Sequence, residues 1–103
     1  MNLAEARNLI DGTIHSPVRL SIMGALNSVE SVDYQTLLTS LGISYSLLSK
    51  HLAILEEAEL VVATKAFIGK KPVTRMKMTS AGRRAFDAYL QALDRIVAGL
   101  QTN

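Results

Sequence analysis

The chain has 103 residues, 49% of them hydrophobic, with two histidines and no cysteine. That is the size of one domain with a packed core. It excludes wholesale disorder, disulfides, thiolate metal sites and a cysteine nucleophile. The net charge of +2 is divided unevenly: residues 1–59 hold three Lys/Arg against seven Asp/Glu, whereas residues 60–86 hold seven Lys/Arg and no acid. An acid-free basic segment is the footprint of a polyanion-binding surface or, more plainly, of a solvated hairpin.

Leu3, Ala6 and Ile10 have helical spacing, which predicts a short helix over Leu3–Ile10 that needs tertiary support. Ser16-Pro17 predicts the start of a second helix, with Ser16 as N-cap and Pro17 at the first position, where its missing N–H costs nothing. Val18, Ile22, Ala25 and Leu26 form its apolar face up to about Asn27. An acidic loop follows over Ser28–Ser31, and Val32 can add a few residues of edge strand. Asp33 can cap a third helix, in which Tyr34, Leu37, Leu38 and Leu41 follow the i, i+3, i+4, i+7 pattern.

Gly42 ends that helix, since glycine takes the left-handed conformation without steric cost. Ile43 plugs the turn, and Ser44 caps a fourth helix whose Leu48, Leu52 and Leu55 face the core. Ser46, Ser49 and Lys50, with Tyr45 beside them, fall near its open face. From Leu60 the period changes to two. Val62, Thr64, Ala66 and Ile68 alternate with Ala63, Lys65 and Phe67, then Thr74, Met76 and Met78 with Val73, Arg75 and Lys77, around a turn at Gly69–Pro72. Thr79 caps a final helix with one stripe of Phe86, Leu90, Leu93, Val97 and Leu100 and a second of Tyr89, Ala92 and Ile96. This order predicts a mainly α fold with a small β-hairpin, a helix-turn-helix ending in a basic wing.

Those elements resemble the winged helix-turn-helix regulators of the MarR/ArsR type. The resemblance is carried by His15-Ser16-Pro17-Val18-Arg19-Leu20, by Ser49-Lys50-His51-Leu52-Ala53-Ile54-Leu55-Glu56-Glu57-Ala58, by Lys65-x-Phe67-x-Gly69-Lys70-Lys71-Pro72-x-Thr74 and by Thr79-x-x-Gly82-Arg83. They span about residues 14–90 in one order. The resemblance implies a single domain over 1–103 whose terminal helices, within 1–14 and 84–103, form a dimer interface. It implies a homodimer on pseudo-palindromic double-stranded DNA, usually acting as a repressor. Residues matching Ser44 to Lys50 then enter the major groove, and the wing follows the backbone or minor groove. The chain departs from the pattern at Glu59, where glycine is usual, and at Leu47, where a small or polar residue is usual. Leu47 would touch thymine methyls or pack against the preceding helix, and packing is the expectation.

The candidate recognition set is Ser44, Tyr45, Ser46, Ser49 and Lys50. Hydroxyls meet either kind of base edge and lysine suits guanine or phosphate. The plainer role is capping, expected for Ser44, while Tyr45 either reaches a phosphate or shields the turn. In the wing, Lys70, Lys71 and Arg75 are the first phosphate candidates, followed by Lys65 and Lys77. If ~3 phosphates are neutralised per subunit, the slope of log K against log salt is about −5 for a dimer. Arg83 and Arg84 lie near a helix N-terminus, where cations oppose the macrodipole; they meet an outside anion or are simply solvated.

The expected dimer interface comprises Leu3, Leu9, Ile10, Tyr89, Leu93, Ile96, Val97 and Leu100, because a final helix of ~20 residues runs ~30 Å, past the core of so small a domain. No catalytic set is expected, since Ser49 and His51 are two apart on a helix and cannot face each other. No metal site is expected from His15 and His51, for which a loop hydrogen bond and a phosphate or helix contact are the expected roles. No cofactor is expected, and any small-molecule effector would bind at the dimer interface or beneath the recognition helix. Met1–Arg7 lack a signal-peptide pattern and no apolar run approaches the ~18 residues of a membrane span, so a cytoplasmic, non-membrane protein is expected. The alternative reading is a winged helix used for protein–protein contact without sequence-specific DNA binding.

Overall fold

The computed structural model describes residues 1–100. The element order is α1 (Leu3–Asn8), α2 (Pro17–Asn27), β1 (Val32–Asp33), α3 (Tyr34–Leu41), α4 (Tyr45–Glu57), β2 (Val61–Ile68), β3 (Lys71–Met78) and α5 (Ser80–Ala98). The strands form an antiparallel sheet in the order β1-β3-β2. None of the described helices is long and apolar enough to cross a membrane.

Local chemistry sets most boundaries. The side chains of Asn2, Ser16, Asp33, Ser44 and Thr79 each accept a hydrogen bond from the backbone N–H three residues on, satisfying a donor that the helix itself leaves free. α1 ends at Asn8, two residues short of the expected span, because Leu9 caps it and the Asp11 carboxylate accepts from Thr13 N–H in a tight turn. Gly42 ends α3 with φ 64° and donates to the Leu38 carbonyl.

At the end of α4 the same left-handed position is filled by Glu59, with φ 63°. Glu59 N–H donates to Glu56 O at 2.9 Å and Leu60 N–H to Leu55 O at 3.0 Å. These are the paired bonds of a Schellman end, and Leu60 and Leu55, the apolar pair that often accompanies it, are both buried. Glu59 therefore holds a left-handed helix end with a residue that is strained there.

The core gathers Ile22, Met23, Leu26, Leu37, Leu48, Leu52 and Leu55 from α2, α3 and α4, Val61, Met76 and Met78 from the sheet, Phe86 and Tyr89 from α5, and Ile14 and Leu60 from the segments before α2 and β2. α5 is docked by a close backbone approach. A Cβ on Gly82 would lie 2.0 Å from the Leu60 carbonyl oxygen, so only glycine fits there. Thr79 strengthens the junction: its hydroxyl donates to Glu59 O at 2.7 Å and its N–H donates to Leu60 O at 3.1 Å.

This docking corrects the expected facing of α5. Phe86, Tyr89 and Ala92 turn inward, while Leu90, Val97 and Leu100 stay exposed. The radius of gyration is 15.8 Å and the long axis 62 Å, against ~13 Å for the radius of a compact chain of 100 residues. The long α5 and the projecting β2–β3 ribbon make the difference.

Candidate nucleic-acid interface

α4 presents one buried face, Leu48, Leu52 and Leu55, and so leaves the opposite side open. Ser46, Lys50 and Ala53 are exposed there and Ser49 is half-buried. The Ser44 hydroxyl accepts from Leu47 N–H at 3.2 Å and lies 3.3 Å from the Ser46 hydroxyl, so capping is its structural role, as expected. Tyr45 is 62% exposed and its ring lies 5.7 Å from that of Tyr34 at a 46° tilt. The two tyrosines, with Asp33, Gln35, Val73 and Thr74, line a cleft of about 410 Å³ between the N-terminal ends of α3 and α4 and strand β3. Leu47 is half-buried and lies outside the core cluster.

Asp33 is one of the residues lining this cleft. Its hydrogen bonds to Thr36, with Arg75 contributing less, hold its pKa below the ordinary value of 3.8. Tyr34 is shifted the other way, chiefly by burial, so its phenol stays a proton donor.

Strands β2 and β3 pair in unbroken register from Val61↔Met78 to Ile68↔Lys71. The connecting turn is therefore only Gly69-Lys70, tighter than the expected four residues. Gly69 has φ 63° and Lys70 is not left-handed, the combination of a type II′ hairpin turn. Pro72 lies in β3 where that strand has outrun β1, the edge situation that tolerates proline.

The wing lysines are all exposed, and Lys65 Nζ donates to the Thr74 hydroxyl at 3.2 Å. Arg75 has a second role: its half-buried guanidinium donates to both the hydroxyl and the carbonyl of Ser31, at 2.8 and 3.1 Å, and so tethers the loop before β1. Arg83 donates to the Asn27 side chain at 2.9 Å. Lys77 and Arg84 border a shallow groove that also holds Glu30 and Asp87.

The two histidines take up roles of the expected kinds, a helix contact for His51 and a loop hydrogen bond for His15, with partners that the sequence did not reveal. Arg19 on α2 donates to the Thr13 carbonyl and to His51 Nδ1 on α4, at 2.5 and 3.0 Å. Since guanidinium only donates, His51 accepts through Nδ1 and carries its proton on Nε2. Burial first, then Arg19 and Lys50, hold the His51 pKa below 6.5. His15 Nδ1 lies 3.0 Å from the Tyr89 hydroxyl, joining the loop before α2 to α5. Tyr89 is only 1% exposed within one chain, which corrects its assignment to a dimer surface. Ile10 and Leu93 pack partly on the same core, and Leu3 and Ile96 are half-buried. Leu9, Val97 and Leu100 remain 56, 77 and 84% exposed.

The model of a winged helix DNA-binding domain family matches residues 18–97. A transcriptional regulator homologue from Pyrococcus horikoshii OT3 superposes with a TM-score of 0.85 at 25% identity, over 96% of this chain and 99% of that one. A MarR-family regulator structure from Enterococcus faecalis V583 gives 0.75 at 25% identity, over 95% and 87%. NadR, solved in complex with 4-hydroxyphenylacetate, shares the fold with a TM-score of 0.70 at 22% identity, over 93% and 67%. No curated protein matches the chain in sequence. The match over most of its length, and the open helix beside a basic wing, place this chain in the winged helix DNA-binding family as a MarR-like transcription regulator.

Proposed function

We propose that the chain is a homodimeric repressor that binds a pseudo-palindromic operator. The observation that carries this reading is the division of labour between α4 and the wing. A weakly charged helix face with Ser46, Ser49 and Lys50 stands open, and an acid-free ribbon bearing Lys65, Lys70, Lys71 and Lys77 projects beside it. Hydroxyls and one lysine give base-edge contacts, whereas the ribbon lysines give sequence-independent phosphate attraction. Dimerisation is supported by Leu9, Val97 and Leu100, apolar and exposed at the C-cap of α1, near the end of α5 and just beyond it. A two-fold axis there sets two α4 helices one DNA turn apart, ~34 Å, and repression follows from occlusion of a promoter by the bound dimer.

An effector is the third element of the proposal. A cavity of about 320 Å³, lined by His15, Ser16, Pro17, Leu20 and Tyr89, joins the start of α2 to α5. It is large enough for a small aromatic acid such as the one named for NadR.

The test is DNA binding at moderate salt, using the promoter region next to the chain's own gene with scrambled DNA as competitor. A complex that survives the competitor is the expected result. Loss of all binding to scrambled DNA favours the protein–protein module instead.

A further inference from the structure

Strand β2 has β3 on one side and, among the described residues, no strand on the other. Its free edge runs the length of Val61–Ile68, with Lys65 as its one charge and no proline. Val62, Phe67 and Ile68 are 42, 69 and 68% exposed. Folded chains ordinarily blunt such an edge with charges, proline or a bulge, because it is a template for another strand. The register fixes which atoms the edge offers. Ile68 and Lys71 close the two-residue turn as a bonded pair, so alternate residues bond inward and Ala63, Lys65 and Phe67 turn their N–H and C=O outward. Pro72, which has no N–H, stands across from Phe67, where that alternation needs none.

The two ends of β2 carry opposite charge. Before it, Glu56, Glu57 and Glu59 are all exposed around the C-terminus of α4. No basic residue lies in the last turn of that helix, so these carboxylates add to the negative end of its dipole. Beyond β2 come Lys70 in the turn and Lys71 at the start of β3. A strand that is anionic at its start and cationic at its end complements itself when two copies run antiparallel.

We infer that this edge pairs with the same edge of a second copy of the chain, β2 against β2 about a two-fold axis at Thr64. Only axes at Thr64 or Lys65 use nearly the whole strand, and the second sets Lys65 against its own copy, a destabilising like-charge pair. With the axis at Thr64, Ala63 faces the partner's Lys65, Val62 faces the partner's Ala66 and Phe67 faces the partner's Val61. Ile68 stands diagonal to the partner's Val62. Lys70 comes between the partner's Glu57 and the partner's Glu59. Phe67 and Ile68 lie on opposite faces of the ribbon, and an added strand covers both because it continues both faces of the sheet. Two three-stranded sheets become one of six strands. Lys70 cannot serve a carboxylate and a phosphate together, so paired wings belong to chains off the DNA. A strand edge binds weakly by itself, and pairing appears at higher concentration than association through α5.

The chain has no cysteine, so single cysteines report the register. Thr64 would form a non-bonded antiparallel pair with its copy, Cα atoms ~4.5 Å apart and within disulfide reach. Under diamide and without DNA, Thr64→Cys should cross-link to itself. Val62→Cys or Ala66→Cys alone should react at least about tenfold more slowly, because each lies ~13 Å from its own copy. Mixed in equal amounts, those two should cross-link to each other. Lys70→Glu added to Thr64→Cys should slow its reaction about tenfold by setting like charges together. Circular dichroism checks that each variant is folded.

Equal rates for the three single cysteines mean random collision and overturn the pairing. A rate within twofold on Lys70→Glu overturns the contact with the end of α4. Cross-linking that needs added duplex DNA reflects crowding on the duplex and overturns the pairing too. The assay needs no operator, so its failure leaves the DNA-binding reading standing.

Discussion

Glu59 shows how a single residue can keep a motif's geometry and lose part of its stability. Its φ of 63° is required by the paired bonds to Glu56 and Leu55, and a residue with a Cβ is strained there by ~1–2 kcal/mol. Glycine removes the strain but adds ~0.4–1 kcal/mol of freedom to the unfolded chain. Glu59→Gly is therefore expected to raise stability by about 0.5–1 kcal/mol, read as a higher urea midpoint with an unchanged m-value. A lower midpoint would mean that the Glu59 side chain makes a stabilising contact.

His51 gives a pH dependence of definite sign. Its folded pKa lies below the ordinary 6.5, through burial, then Arg19 and Lys50. The unfolded chain takes up the proton more readily, so the contribution to stability is complete above 6.5 and is lost as pH falls through the folded value. His51→Gln leaves an acceptor for Arg19 and removes the titration. Its stability should fall less steeply than that of the wild type between pH 7 and 5; parallel curves would contradict the assignment.

At the scale of the element, the wing and α5 differ in how much of them could be read in advance. Caps at Ser16, Asp33, Ser44 and Thr79 and the stop at Gly42 were legible because each involves atoms within three or four residues. The strand alternation was legible for the same reason. Arg75 was not, since the Ser31 that takes its guanidinium lies 44 residues away. The facing of α5 was not either. Its two candidate stripes differ by one position per turn, and the choice falls to the Gly82–Leu60 approach and the His15–Tyr89 bond, both tertiary.

The freed wing lysines carry the element's own prediction. Lys70→Ala/Lys71→Ala removes about four phosphate contacts from a dimer, so the slope of log K against log salt should flatten from about −5 to about −2. Affinity should fall on every DNA sequence alike. An unchanged slope would assign these lysines to solvent.

For the whole molecule, the question is what covers the outer end of α5. Val97 is among its most exposed side chains, Leu100 follows just beyond it, and Leu9 is exposed after α1; the proposed pairing of two chains would cover such apolar surface. Val97→Asp is expected to yield monomers by sedimentation. Its affinity for a full operator should drop by about 100-fold, because the second half-site no longer gains from the first. A dimer that persists would place the interface elsewhere.

Selection of bound sites from random DNA tests the central claim most directly, since it reads specificity, symmetry and spacing together. The account predicts an enriched inverted repeat with half-site centres ~10 base pairs apart, matching two α4 helices in successive major grooves. Enrichment of no motif, or of a single unrepeated half-site, would contradict it.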